Sequence, residues 1–205
     1  MLELAILGVL KEHPVHGYEL RKHLVQRLGF FWTVSFGSLY PTLRRLEKRG
    51  AIEKMRVGDA DSRRKQSYRI TEAGEQLFLN LLVEGTGTTP AAEEDKFTLR
   101  LAFFRYLRPE TRIRLLERRR NHLEDRLDEG RRSLTRGRTS DRLDRYTLSL
   151  MKHGVAITEH DITWLDELIA AERAAMTEPG SPADEHSAEI QAQDQPETHR
   201  SSPQT

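Results

Sequence analysis

Residues 35–50 read SFGSLYPTLRRLEKRG, with Phe36, Leu39, Leu43 and Leu46 spaced three, four and three apart. That period puts the four on one face of a helix. The other side shows Thr42, Arg45, Lys48 and Arg49, with Glu47 on the flank as its carboxylate. Such a face serves water, a partner protein or a row of phosphates, and the surrounding chain decides between them.

Upstream, residues 2–12 follow a helical pattern with Leu4, Leu7, Val9 and Leu10 apolar. Pro14 and Gly17 punctuate it, and a second helix is predicted over 18–28 with Leu20, Leu24 and Leu28 in register. Gly29 suits its C-terminal cap. Residues 30–34, FFWTV, form a short apolar connector in which Trp32 is expected to pack between helices. Ser35 and Ser38 are alternative caps for the third helix. Pro41 fits the first turn if Ser38 is the cap and kinks the helix if Ser35 is. Gly50 closes that helix.

Downstream, AIEKMRV (51–57) and QSYRI (66–70) read as strands around a charged loop, making a hairpin. Thr71-Glu-Ala-Gly then opens a fourth helix carrying Leu77, Phe78, Leu81 and Leu82. Three helices, a hairpin and a helix fit within residues 1–83 as one small domain.

Residues 84–95, EGTGTTPAAEED, read as a linker. KFTLRLAFFRYL is predicted as a helix stopping at Pro109, followed by a long helix from 109 to 135 with a heptad-like series. Ile113, Leu116, Leu123 and Leu127 are its candidate dimerisation residues, although Arg120 and Gly130 break a strict seam. A helix over 141–153 is expected next. Thr158-x-x-Asp161 resembles a capping box opening another helix with Ile162, Leu165, Leu168 and Ile169 inward. The domain plan is therefore 1–83, linker 84–95, a helical dimerisation domain 96–176, and an acidic, apolar-poor tail 177–205 expected to be disordered.

Net charge is only +1 over 205 residues, but its distribution is uneven. Residues 1–75 hold 14 Lys and Arg against 9 acids; residues 177–205 hold one Arg against six acids. An acidic tail of this kind could compete with nucleic acid for the basic head. The chain has no cysteine, which excludes disulfides, thiolate metal sites and thiol catalysis. MLELAILGVL has no basic n-region and is too short to span a bilayer, so it reads as a core helix of a cytoplasmic protein.

Ten of the 14 basic residues of the head lie between Arg44 and Arg69, on the third helix and the hairpin. A helix-turn-helix sends its second helix into the major groove, and a charged hairpin beside it grips backbone or minor groove. The pattern points to double-stranded DNA. The rival reading is a helical adaptor whose basic domain docks an acidic protein, since fold does not fix function.

HGYEL (16–20), SFGSLYPTLRRLEKRG (35–50) and YRITEAG (68–74) resemble the PadR-type transcriptional regulators. The resemblance covers the winged helix-turn-helix; the helical second half is similar to the larger PadR subgroup on far fewer diagnostic residues. It implies a mainly α protein: an N-terminal winged helix-turn-helix with a small β-hairpin wing, then a C-terminal helical dimerisation domain. It further implies a homodimeric DNA-binding regulator, typically a repressor, with small-molecule effectors varied across the family. Two-fold symmetry of such a dimer then calls for an inverted-repeat operator, and release by an effector is one mode of control. By the same resemblance Tyr18, Ser35, Ser38, Tyr40, Thr42, Arg44 and Arg45 meet DNA. Arg63, Arg64 and Lys65, with Arg56, serve as wing contacts. Two placements stay open for Tyr40, ring in the core or ring exposed, and Tyr18 has the same two. Arg44 can also pair with Glu47.

No other chemistry stands out. His13, His16 and His23 lack a suitably spaced third ligand, so no metal or cofactor is expected. Gly85-Thr-Gly87 lacks the lysine of a phosphate loop, and no catalytic triad or carboxylate pair is visible. Phe97, Phe103, Phe104, Tyr106, Tyr146 and Trp164 could line an effector pocket, but aromatic residues at helical spacing are more often core. An enzyme is not expected.

Overall fold

The computed structural model describes residues 1–29, 36–55, 67–84, 90–138 and 144–177. Trp32, Ser35, Arg56, Arg63, Arg64, Lys65, the linker glycines 85 and 87 and the tail beyond Thr177 lie outside the described residues. The chain forms two compact units, Met1–Arg108 and Pro109–Thr205.

In the first unit, α1 (Leu2–Leu10) is buried along almost its whole length. A short strand β1 (Val15–His16) leads into α2 (Gly17–Leu28), whose Leu20, Leu24 and Leu28 face the core. A 3-10 turn (Phe36–Ser38) precedes α3 (Leu39–Lys48). Ser38 holds the N-cap position, but its side chain makes no capping bond. Pro41 therefore falls in the first turn, where its missing N–H costs nothing.

Gly50 has φ +68, and the N–H groups of Gly50 and Ala51 donate to Glu47 and Leu46 carbonyls, both at 2.9 Å. This is a Schellman closure, and it turns the chain directly into β2 (Ile52–Met55). β2 pairs antiparallel with β3 (Ser67–Ile70), and β3 pairs on its other side with β1, giving the order β1-β3-β2. The third strand was not visible in the sequence: two residues are too few to show alternation. Thr71 caps α4 (Glu72–Val83), accepting from Gly74 N–H at 3.1 Å and donating to Gly50 O at 2.6 Å. The helix start and the turn after α3 are thus bonded together. A Cβ on Gly74 would lie 1.9 Å from the Ala51 carbonyl, so only glycine fits there.

The expected linker and following helix differ from what is seen. α5 runs Pro90–Leu101 and breaks before a 3-10 turn (Phe104–Tyr106). Phe103 and Phe104 are buried, with the Phe78 ring edge-on to Phe103 and Tyr106 at 5.7 and 5.5 Å. The stretch to Arg108 therefore folds with the first unit. Burying these rings outweighs continuing a regular helix to Pro109. Phe103 and Phe104 are core, and Tyr106 is half-buried beside them.

The second unit is a hairpin of α6 (Pro109–Arg138) and α7 (Arg145–Thr177). The pairs Arg112–Glu172 (3.0 Å), Glu117–Arg173 (2.5 Å), Arg120–Asp166 (2.5 Å) and Arg131–Glu159 (2.8 Å) show that the two helices run antiparallel. Two expectations are corrected here. α7 is one helix across residues 153–161, and Thr158 does not cap it: the side chain is buried and donates to the Gly154 carbonyl at 2.9 Å. Leu116, Leu123 and Leu127 are buried already within this single α6–α7 hairpin, with Ile113 half-buried, so these leucines pack inside the chain. A heptad pattern states that a helix has a partner, not whose helix it is.

Candidate nucleic-acid interface

α3 buries Leu39, Leu43 and Leu46 on one side. Tyr40, Arg44 and Lys48, four apart, form an outward ridge. Arg44 and Lys48 make no ion pair among the described residues. The ridge ends at Tyr40, 54% exposed. Thr42 is corrected: it is 3% exposed and belongs to the buried side.

The two flanks of the ridge differ. Toward the sheet, Glu47 pairs with Lys54 on β2 at 2.8 Å. That hydrogen bond holds the Lys54 ammonium above its usual range. Tyr68 on β3 lies in the same neighbourhood, its phenol pushed up mainly by burial. Toward α1, Glu3 accepts from Arg45 Nε at 2.7 Å and stands 3.4 Å from Arg49 Nη1.

The start of α2 adjoins this surface. A Cβ on Gly17 would lie 3.3 Å from Tyr68 Cε2 and 3.8 Å from Tyr40 Cε1, so both rings border that turn. Tyr18 follows at 79% exposure; it is not a core tyrosine. The His16 ring Nδ1 and the Ser67 hydroxyl hydrogen-bond at 2.6 Å, tying β1 and the start of α2 to β3. Ser38 is exposed just before α3.

The structure thus brings Tyr18, Ser38, Tyr40, Arg44 and Arg45 onto one side of the head and removes Thr42. Lys48, Lys54 and Glu3 join that surface and were not singled out as site residues. Lys48 was legible from its spacing to Arg44; Glu3 and Lys54 carry no local signal, because only folding brings them there. His13 and His23 meet edge-on at 5.3 Å, and among the described residues no cluster of three or more His, Asp or Glu could hold a metal. Among the described residues no helix is long and apolar enough to cross a membrane.

The transcriptional regulator PadR-like family matches residues 6–79, and the virulence activator alpha C-term family matches residues 94–172. The chain is 28% identical over 103 residues to the negative transcriptional regulator PadR of Bacillus subtilis, covering 50% of this chain and 56% of that protein. It is 29% identical over 85 residues to a probable transcriptional regulator of Mycobacterium tuberculosis, covering 42% and 45%. The matches span about half the length of these two relatives. The structure of Bacillus subtilis PadR in complex with operator DNA aligns over 83% of this chain and 97% of that one, at 21% identity and TM-score 0.39. The Vibrio cholerae virulence activator AphA aligns over 85% and 99%, at 20% identity and TM-score 0.37. The winged helix-turn-helix of residues 6–79 is thus similar to the PadR-like family of transcriptional regulators.

Proposed function

We propose that this chain is a transcriptional regulator rather than an enzyme, acting as a homodimeric repressor on an inverted-repeat operator. The observation that carries the DNA reading is the exposed Tyr40–Arg44–Lys48 ridge on a helix whose other side is core. An α-helix fits the major groove, and an arginine there can pair with guanine O6 and N7. Tyr18 stands beside that ridge, with a hydroxyl available to a phosphate. The wing residues Arg63, Arg64 and Lys65 would add backbone contacts, as would Ser35 and Ser38 near the helix start.

One head reads a small footprint, so specific binding calls for two. Since the Leu116–Leu127 series is used within the hairpin, the self-complementary surface we favour is the outer side of α7. Tyr146, Leu150, Ile157 and Trp164, spaced four, seven and seven, are exposed there. A two-fold pair of heads then requires half-sites about one helical turn apart, roughly 34–36 Å. Occupying promoter DNA would repress; a small-molecule effector would act by shifting the pair of heads between binding-competent and incompetent arrangements.

Fluorescence anisotropy across a salt series, with duplex DNA from upstream of the protein's own coding region against unrelated duplex, tests the reading. Selective binding with a steep salt slope is expected. Equal, weak binding to both duplexes would reject it.

A further inference from the structure

We propose that Glu3 is a positioning residue for DNA binding, holding Arg45 and Arg49 as a fixed phosphate-gripping pair on the α1 flank of α3. The inference rests on the DNA reading of α3. Glu3 stands in the first turn of α1, where the helix dipole favours a carboxylate. Its side chain is 17% exposed, against 57% and 49% for the two arginines. The acid is the anchored partner and the cations are the presented ones.

One carboxylate facing two guanidiniums leaves the site a net positive charge. Arg45 gives its Nε to Glu3, so its two amino groups stay available. Both arginines lie off the Tyr40–Arg44–Lys48 ridge, on the side where a helix in the groove faces a backbone wall. Arg45 is thereby assigned to phosphate, and base reading to Arg44.

Two effects oppose each other. A carboxylate near the DNA repels phosphate, so by charge alone Glu3→Gln should tighten binding. Fixing a long side chain in advance is worth roughly two- to tenfold in affinity. Glu3 is the less exposed end of both pairs, so phosphate meets the guanidiniums first and positioning should win.

The test compares Glu3→Gln, Arg45→Ala/Arg49→Ala, the triple variant and Arg44→Ala in the full chain. Affinity, salt slope and the ratio of upstream to unrelated duplex are measured by anisotropy, with active fraction fixed by stoichiometric titration. Glu3→Gln is expected to weaken both duplexes about fivefold with their ratio unchanged. It should have no further effect once Arg45 and Arg49 are alanine. The double alanine should lower the salt slope by about two and keep the ratio; Arg44→Ala should collapse the ratio. Unchanged or tighter binding by Glu3→Gln, or loss of the ratio in Arg45→Ala/Arg49→Ala, overturns the proposal while the DNA reading stands. If the wild-type chain binds neither duplex, the DNA reading fails and the proposal falls with it.

Discussion

Thr42 shows how residue type and position can disagree. A hydroxyl side chain in a basic helix suggests exposure, yet Thr42 is three residues after Leu39 and four before Leu46, inside the buried arc. Position wins because a helix cannot turn one residue out of its own stripe. Gly50 is the opposite case, where type and position agree: its φ of +68 is open to glycine and strained for other residues. Gly50→Ala should destabilise the chain by about 1–2 kcal/mol in urea titration. Its carbonyl also receives the Thr71 hydroxyl, so the strain reaches the start of α4. At the site, Arg44→Ala should cost about 1–3 kcal/mol of discrimination between operator and unrelated duplex, measured as a ratio of affinities.

At the scale of elements, Glu12 links the end of α1 to α2 through Arg27 and to the 3-10 turn through Arg105 and Tyr106. Burial acts to raise its carboxyl, but the Arg27 hydrogen bond and charge, then Arg105 and Tyr106, outweigh it and hold the carboxyl below the usual range. A depressed native carboxyl contributes stability above its unfolded value, near 4.5, and loses it as pH falls through the native value. Glu12→Gln should therefore be less stable than wild type near neutrality, with the gap closing in acid; urea midpoints at pH 7 and pH 3 would show it. In the second unit, Leu123→Ala should loosen the α6–α7 hairpin by about 2–5 kcal/mol, seen as lost helicity on heating. Thr158 explains why a capping box was legible but absent: its hydroxyl satisfies a carbonyl one turn back within a continuous helix.

For the whole molecule, the proposed dimer has to hold two heads at one operator. Ile157→Glu places a charge in the exposed apolar series of α7 without touching the α6–α7 core. It should leave helicity unchanged, shift the mass measured by light scattering from dimer to monomer, and lower operator affinity more than affinity for unrelated duplex. A dimer that survives this change would move the interface elsewhere.

The sequence by itself determined the winged helix-turn-helix, because its signals are local. Apolar periods in α1 to α4, the glycine closing α3 and the Thr71 cap are each written within a few residues. The SFGSLYPTLRRLEKRG motif likewise carried the resemblance to the family. The exposure of Tyr18 and Tyr40, the burial of Thr42 and the pairing of Arg45 with Glu3 waited for the tertiary structure. So did the partner of the α6 leucines. Periodicity reports that a face is covered, and only the folded chain supplies the group that covers it.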